Sequence, residues 1–445
     1  MSGLRMIGAE YDALHAAMLG GRDNETCAVG FAMFDDDSDT WVLESAAPVP
    51  ERAYATRDEV SASLTTEFVV DIVNRARLTR TSPVLFHSHP DAVGVPHFSS
   101  RDDDGEAELK AYFERRIPDL SPLAVVVGPE GCRARRLGEA IAVPVWAIGA
   151  EVRLLCDEAG DFGRSVRHDR QVRAFGQSGQ RMVSRLRILV VGGGGTGSLV
   201  MQQLAHLGAL DVTIIDPDCV EETNLNRLIG ARACDVGNPK VEVARRMALS
   251  INPHMRCDAI IGDIVDALQA SLIGGFDFAF LCTDSHSSRA VVCQAAYQYL
   301  VPVIDMGVSI TARHQRISHI TGRAQMLAPG LPCLTCTGAL DGKIILREMM
   351  TPEQRSADPY IVGTHEPQPA VVSINSTVAS LAVTMFLGAV TPVPSGSRFQ
   401  LYDGIRGTVR PTTAASRTDC VVCSASGALA KGSAWALPVR PTRSS

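Results

Sequence analysis

The chain has 445 residues, of which 46% are hydrophobic and 20% are charged, and its formal net charge is −7. This length predicts two or three domains, and the acidic balance argues against a general nucleic-acid surface. The sequence has no run of about eighteen apolar residues that would predict a membrane span. Its first residues mix charged with apolar side chains and lack a secretory signal, so we expect a cytoplasmic protein.

The first 155 residues alternate short apolar segments with two amphipathic ones. Strands are predicted at CAVGFAMF, TWVLESA, PVLFHSHP and LAVVVG, and helices at TTEFVVDIVNRARL and EAELKAYFERRI. A Ser/Asp-rich start could cap the second helix. This pattern predicts an α+β domain over residues 1–155. The polar, glycine-containing segment that follows predicts a linker over residues 156–167.

Metal-binding side chains cluster at the end of one predicted strand. The strand PVLFHSHP ends in H-S-H-P at residues 87–90, and S-S-R-D follows at residues 99–102. Side chains alternate along a strand, so both histidines share one face and can bind one metal ion. Two histidines and a carboxylate leave a fourth position on zinc for water. Glu25, at the start of an early strand, is the candidate general base, with Glu44 and Glu51 as alternatives.

These motifs resemble the JAMM (JAB/MPN) metalloprotease family, whose signature is a glutamate, then H-x-H-P, then S-x-x-D. The resemblance covers about residues 5–150 and implies a zinc isopeptidase. It implies that His87, His89 and Asp102 bind a catalytic zinc ion. Glu25 would be the acid/base, and Ser99 would stabilise the tetrahedral intermediate.

The segment between the second histidine and Asp102 is longer here than in that signature. Asp103 is therefore an alternative ligand, and His97 in the same segment is another, although an exposed loop histidine is the simpler explanation for His97. A metal-free relative of the family is the non-enzymatic alternative.

After the linker, continuous Val/Ile runs alternate with helical segments. Strands are predicted at RILVVGG, DVTIID, MRCDAII, FDFAFLCTD and VPVIDMGV. This alternation predicts a doubly wound, Rossmann-like parallel sheet covered on both faces, over residues 168–425. The tail over residues 426–445 is expected to be poorly ordered.

The first of these strands runs into G-G-G-G-T-G at residues 192–197 and then into a helix. Glycines let the backbone approach a phosphate, and the helix N-terminus supplies free N–H groups. Asp216, at the end of the next strand, is spaced to accept from ribose hydroxyls. Alone, this pattern also fits an NAD-dependent dehydrogenase. Several cations and a second carboxylate nearby favour instead the splitting of ATP between its α and β phosphates.

Residues 164–425 resemble the ThiF/MoeB/ubiquitin-activating-enzyme (E1-like) superfamily, because several separated motifs occur in the same order. The resemblance implies ATP and Mg²⁺ as cofactors and adenylation of the C-terminus of a ubiquitin-like protein. Arg170 would be a catalytic arginine finger that reaches into a second subunit, which implies a homodimer. Asp284 would assist the magnesium. The nucleotide-binding residues that it implies are Gly192, Gly194, Gly195, Gly197, Asp216, Asn224, Arg227, Lys240 and Asp284. Arg170 and Arg289 could instead lie on solvated helix faces.

Twelve cysteines in a reducing compartment do not predict a disulfide framework. Two C-x-x-C pairs are the ligand set of a closed, structural zinc site, as in MoeB-like proteins, and a redox pair or coincidence is the alternative. These ligands are Cys333, Cys336, Cys420 and Cys423. Most of the remaining eight are expected to be small buried hydrophobic side chains; they are Cys27, Cys132, Cys156, Cys219, Cys234, Cys257, Cys282 and Cys293.

Family members that form a thioester carry a cysteine in a loop after the first C-x-x-C pair, and this chain has none over residues 337–419. We therefore expect an acyl-adenylate that passes directly to another nucleophile. Cys219, Cys234 and Cys282 lie near the nucleotide motifs, but packing is the simpler explanation for them.

The two halves together predict a bifunctional enzyme of a bacterial ubiquitin-like pathway. The peptidase would trim or remove a ubiquitin-like protein, and the second domain would activate its tail, with a conjugating enzyme as a further partner. The alternative is activation of a sulfur-carrier protein for thiocarboxylate formation. A binding module with an inactive peptidase fold is the third hypothesis.

Overall fold

A computed structural model of the protein describes residues 3–20, 24–59, 61–156, 166–313, 316–350 and 369–441. The chain divides into two compact units. The first contains Met1–Gly160 and Ala430–Trp435, and the second contains Asp161–Leu429 and Ala436–Ser445. Most of the expected linker, residues 157–165, lies outside the described ranges.

The first unit is built on one mixed sheet of nine strands in the order β11–β10–β1–β3–β2–β6–β7–β8–β9. Two further strands, β4 and β5, form a separate hairpin. The strands are β1 Gly3–Ile7, β2 Cys27–Asp35, β3 Thr40–Pro48, β4 Tyr54–Arg57, β5 Ala62–Leu64, β6 Ser82–Ser88, β7 Leu123–Gly128, β8 Gly131–Arg136, β9 Ala142–Val143, β10 Val145–Ile148 and β11 Val152–Leu154. The helices are α1 Gly8–Leu19, α2 Thr66–Thr79 and α3 Ser100–Arg116.

Helices cover both faces of this sheet. Helix α1 packs Tyr11, Leu14 and Met18 against one face. Helices α2 and α3 cover the other face with residues such as Val73 and Phe113. The four predicted strands and both predicted helices of this region are present as β2, β3, β6, β7, α2 and α3.

The second unit contains one sheet of eight strands in the order β14–β13–β12–β15–β16–β17–β18–β19. Its strands are β12 Arg187–Val191, β13 Asp211–Asp216, β14 Arg256–Ile261, β15 Phe278–Leu281, β16 Val303–Arg313, β17 Arg316–Leu327, β18 Phe399–Asp403 and β19 Thr408–Pro411. Its helices are α4 Asp169–Arg185, α5 Gly195–Leu207, α6 Lys240–Ile251, α7 Ala267–Ser271, α8 His286–Gln298, α9 Gly342–Met349 and α10 Val372–Val390.

The five strands from β14 to β16 are parallel, as predicted from their Val/Ile runs. Strands β17, β18 and β19 then extend the sheet in antiparallel pairing. This extension was not predicted, because its strands carry Thr, Arg and Ser rather than a continuous apolar run. One described helix, α10, is long and apolar enough to cross a membrane by length and composition alone, and half of its apolar window is buried inside the protein.

Part of the C-terminal tail is ordered, and the expectation of a poorly ordered tail is wrong for it. Lys431 forms an ion pair with Glu44 within the first unit. Within the second unit, the guanidinium of Arg440 lies 2.7 Å from the carboxylates of both Asp263 and Asp266. Basic side chains therefore anchor the tail at acidic positions that the sequence pattern does not connect. Residues 442–445 lie outside the described ranges.

Candidate functional site

The glycine-rich segment joins β12 to α5 in a tight turn that leaves no room for a side chain at Gly197. Gly192 has a φ of +97°, in the region that favours glycine. A Cβ on Gly197 would lie 1.8 Å from the carbonyl oxygen of Gly192. Thr196 Oγ1 donates to the Cys282 carbonyl at 3.3 Å, which ties the turn to the end of β15. The turn is thus fixed at the carboxyl end of two neighbouring parallel strands.

Asp216 is buried at the end of β13, with 7% of its surface exposed. Its carboxylate accepts the backbone N–H of Gly193 at 2.6 Å and that of Asp218 at 2.8 Å. Burial raises the pKa of Asp216 above its ordinary value, although these two hydrogen bonds and the charge of Lys240 oppose the shift. These two hydrogen bonds hold the carboxylate beside the glycine-rich turn.

The predicted phosphate-binding cations lie around the same turn. Lys240 begins α6, and its Nζ lies 2.7 Å from Asp218 Oδ2. Arg227 Nη1 donates to the Thr223 carbonyl at 2.6 Å, and a Cβ on Gly195 would lie 3.4 Å from Arg227 Cδ. Two positive charges therefore accompany the carboxylate of Asp216.

Asn224 has a structural partner in this structure. Its Oδ1 accepts the backbone N–H of Glu221 at 3.1 Å in a capping box, and it is 9% exposed. The geometry thus uses Asn224 to fix the turn that carries Arg227.

Asp284 follows β15 and is exposed, as a magnesium ligand would need to be. Arg289, one turn into α8, is no solvated side chain. Its Nε donates to the fully buried Asp305 at 3.1 Å, and Asp305 also accepts from Arg323. Asp305 and Arg323 were not predicted, because their pairing joins β16 to β17 across an unpredicted hairpin.

Arg170 is not brought to this site by its own chain. It lies exposed in the first turn of α4, with no hydrogen bond or ion pair to the part of the chain that the structure describes. An arginine-finger role for it needs a second copy of the chain and stays a prediction.

The two C-x-x-C pairs converge on one site. The four Sγ atoms lie within 4.8 Å of one another, with 3.5 Å between Cys333 and Cys420 and 3.6 Å between Cys336 and Cys423. Ligands about 2.3 Å from a tetrahedral zinc ion would be about 3.8 Å apart. The backbone N–H of Arg417 donates to Cys336 Sγ at 3.3 Å, as is usual for a thiolate ligand. The donor set fits a structural zinc ion.

The scattered cysteines are only partly buried. Cys27, Cys132, Cys257 and Cys293 are buried as expected, Cys156 and Cys282 are intermediate, and Cys219 and Cys234 are exposed. The packing explanation is therefore wrong for Cys219 and Cys234. For Cys282, burial raises the pKa of the thiol, which disfavours the nucleophilic thiolate.

In the first unit, His87, His89 and Asp102 each place a ligand atom within 4.8 Å of the others. His87 Nε2 lies 3.2 Å from Asp102 Oδ1, and His89 Nε2 lies 3.5 Å from Asp102 Oδ2. His87 Nε2 is buried, yet it lacks the alignment for a hydrogen bond to any described group. An orphaned imidazole nitrogen beside a second histidine and a carboxylate fits a metal ion.

Glu25 lies beside this cluster, with Oε1 3.7 Å from His89 Nε2, and is 8% exposed. Burial raises the pKa of its carboxyl group, while the two histidines oppose the shift. The alternative bases are engaged elsewhere, because Glu44 pairs with Lys431 and Glu51 lies 2.7 Å from Arg57. Of the three predicted bases, Glu25 alone contacts the histidines.

The alternative ligands also point elsewhere. Asp103 Oδ1 accepts from Arg135 Nη2 at 2.7 Å, and His97 Nε2 lies 3.5 Å from Arg133 Nη2. The structure therefore places the side chain of Asp102 among the histidine ligand atoms, whereas the side chains of Asp103 and His97 contact arginines. The segment between His89 and Asp102 leads into the first turn of α3. Asp102 and Asp103 therefore point in different directions, and only Asp102 faces the histidines.

Ser99 is the N-cap of α3. Its Oγ accepts the Asp102 N–H at 3.2 Å, and Asp102 Oδ2 accepts the Ser99 N–H at 2.6 Å. This capping box explains the S-x-x-D spacing in structural terms. It also orients the carboxylate of Asp102 toward the histidines, so Ser99 acts on the cluster through Asp102.

Comparison with known proteins addresses the second unit. The ThiF family profile matches residues 168–422, which is more than half of the chain. Molybdopterin-synthase adenylyltransferase of Salmonella typhimurium is 34% identical over 40% of this chain and 70% of that protein. Its Escherichia coli counterpart is 29% identical over 58% of this chain and 96% of that protein. Sulfur carrier protein adenylyltransferase of Thermus thermophilus is 27% identical over 56% of this chain and 86% of that protein.

The family profile spans the adenylation motifs, and the metalloprotease resemblance of the first unit stays a proposal. The glycine-rich turn, the buried aspartate and the flanking cations lie within the matched residues, as do three of the four clustered cysteines. By the family profile that covers them, the chain belongs to the ThiF family.

Proposed function

We propose that the second unit adenylates the C-terminal carboxylate of a ubiquitin-fold carrier protein with ATP and Mg²⁺. The observation that carries the proposal is the buried Asp216, held by backbone N–H groups beside a glycine-rich turn and two cations. A carboxylate oxygen of the carrier would bond to the α-phosphorus, and the bond to the β-phosphate oxygen would break to release pyrophosphate. Positive charge offsets the charge that develops on the departing group.

Each residue has a defined task in this proposal. Asp216 binds the ribose hydroxyls, while Arg227 and Lys240 neutralise the triphosphate. The N-terminus of α5 receives a phosphate on its free N–H groups. Asp284 would hold a magnesium ion, which would supply positive charge to the phosphates.

The carrier that we favour is a sulfur carrier rather than a protein modifier. The sequence alone led us to favour modification of proteins, but the relatives described above are named as molybdopterin-synthase and sulfur-carrier adenylyltransferases. The adenylate would pass to a sulfur donor outside the chain, since residues 337–419 contain no cysteine.

Pyrophosphate exchange tests this function. The full chain is incubated with ATP, labelled pyrophosphate and either a purified sulfur carrier or a ubiquitin-like modifier. We expect exchange that depends on the sulfur carrier and is lost in Arg227→Ala. Arg245→Ala is the matched control, because Arg245 pairs with Glu242 on the surface of α6. Exchange that is equally strong without any carrier would refute adenylation of a carrier.

Direct transfer of the adenylate has its own test. The full chain is mixed with ATP and a carrier and separated without reductant. We expect no thiol-sensitive adduct. An adduct that disappears in Cys219→Ala or Cys234→Ala, the two exposed cysteines, would show a thioester and contradict direct transfer.

A second function is supported by the cluster in the first unit. We propose that His87, His89 and Asp102 hold a zinc ion that, when bound, supplies an activated water for hydrolysis of a peptide or isopeptide bond. Glu25 would accept a proton from the attacking water and return it to the departing amine. A carrier whose tail needs trimming before adenylation would give both units one substrate.

Zinc content and cleavage test this second function together. The full chain should hold about two zinc ions if both sites fill. Glu25→Gln should keep the zinc and abolish cleavage of a carrier precursor with an extended tail. Loss of zinc in Glu25→Gln would mean that this glutamate is a ligand and not the base. Cleavage at the wild-type rate would remove it from the mechanism.

A further inference from the structure

The side-chain amide of Asn375 lies beside the first residue of α5, although the two are far apart in the sequence. Asn375 lies in the first turns of α10 and is 5% exposed. A Cβ on Gly195 would lie 2.4 Å from Asn375 Nδ2 and 3.4 Å from Arg227 Cδ. The side-chain amide of Asn375 and the side chain of Arg227 therefore both line the first residue of α5.

The amide of Asn375 has no hydrogen-bond partner within the described ranges, although its backbone N–H donates to the Val371 carbonyl at 3.1 Å. A largely buried side-chain amide with no described partner keeps its N–H donors available to a ligand. Gly194, the N-cap of α5, offers no side-chain cap to the first-turn N–H groups. The Nδ2 of Asn375 and the first-turn N–H groups of α5 thus lie close together. These donors suit an anionic oxygen.

The order of contacts along the turn indicates which oxygen this is. Gly193 bonds to Asp216, the residue assigned to the ribose, and Gly195 follows two residues later. The phosphate closest to the ribose is the α-phosphate, which ATP and an acyl-adenylate share. An uncharged donor can hydrogen-bond to the α-phosphate of ATP and to that of the acyl-adenylate.

We infer that Asn375 is a nucleotide-binding residue whose Nδ2 donates to an oxygen of the α-phosphate. The inference rests on the proposed adenylation function and adds a residue that none of the sequence motifs described above contains. It also explains why Gly195 has no side chain, since a methyl group there would displace the amide.

Binding of ATP, AMP and adenosine to the full chain tests the inference by calorimetry. Asn375→Ala should weaken ATP and AMP about tenfold or more, as expected for a lost hydrogen bond to a charged group, and leave adenosine unchanged. Asn375→Asp should weaken both nucleotides further through charge repulsion. Ser373→Asp is the matched control, because it adds the same charge at an exposed position in the same turn.

The outcomes separate this inference from the proposed function. Wild-type protein that fails to bind ATP would overturn both. Wild-type protein that binds ATP, with Asn375→Ala equally tight, would overturn the role of Asn375 alone. An equal loss of adenosine would mean that Asn375 supports the fold and not the phosphate. Thermal unfolding without nucleotide identifies misfolding, and Asn375→Ser then replaces the alanine variant.

Discussion

Replacing Asp216 with asparagine separates the charge of this side chain from its shape. The carboxylate accepts two backbone N–H groups, from Gly193 at 2.6 Å and from Asp218 at 2.8 Å. An asparagine keeps one accepting oxygen and turns its NH₂ toward the other donor. A hydrogen bond to a charged group contributes about 1.5–3 kcal/mol, so one lost ribose contact should weaken ATP roughly 10- to 150-fold.

The same carboxyl group predicts a pH dependence. Burial raises the pKa of Asp216, so it takes up a proton at a higher pH than an exposed aspartate does. ATP affinity of the wild type should therefore fall as the pH drops through this raised pKa, and Asp216→Asn should lose that dependence. A raised pKa means that the ionised form costs stability above it. Loss of the charge should therefore offset part of the cost of turning an NH₂ toward a backbone donor, and Asp216→Asn should stay folded at neutral pH.

Titration calorimetry with ATP over an acidic to neutral pH series measures both effects. Asp211→Asn is the matched control, since Asp211 begins the strand that Asp216 ends. ATP affinity of Asp216→Asn equal to wild type would refute the ribose assignment. Equal loss in Asp211→Asn would mean that strand stability, and not the contact, explains the effect.

Three further experiments test contacts described above. Cys420→Ser should remove one zinc ion per chain, by elemental analysis, and lower the melting temperature by several degrees, because a closed zinc site contributes to folding; unchanged zinc would disprove the four-cysteine site. Asp102→Asn should lose the other zinc while Asp103→Asn keeps it, because Asp103 pairs with Arg135; the reverse result would exchange their roles. Gly197→Ala should destabilise the chain by about 1–3 kcal/mol or more in denaturant unfolding, because its Cβ would overlap a carbonyl oxygen 1.8 Å away; wild-type stability would contradict the turn geometry.

Local patterns in the sequence predicted the parts of the site that lie on one turn or strand. Asp216 follows from its spacing after the glycine-rich segment, and His87 and His89 follow from strand alternation. The four-cysteine site required two pairs that are far apart, but each pair is recognisable alone. In each case, a local spacing of residues identifies the ligands, although the convergence of the two cysteine pairs depends on the fold.

Other parts depend on tertiary contacts that no local pattern predicts. The pairing of Arg289 with Asp305 and the approach of Asn375 to Gly195 join segments with no shared periodicity. Helix α1 was missed because alanines at Ala9, Ala13, Ala16 and Ala17 surround the helix and obscure its apolar stripe.

The capping box of α3 links metal binding to the start of a helix. The carboxylate that faces His87 and His89 is the same one that accepts the Ser99 N–H. A metal ion bound by Asp102 would change the strength of the hydrogen bond from the Ser99 N–H to Asp102 Oδ2, which begins the helix. The rate of amide hydrogen exchange at Ser99 should therefore change when zinc binds. Ser99→Ala should change the affinity for zinc, because it removes the hydroxyl that accepts the Asp102 N–H.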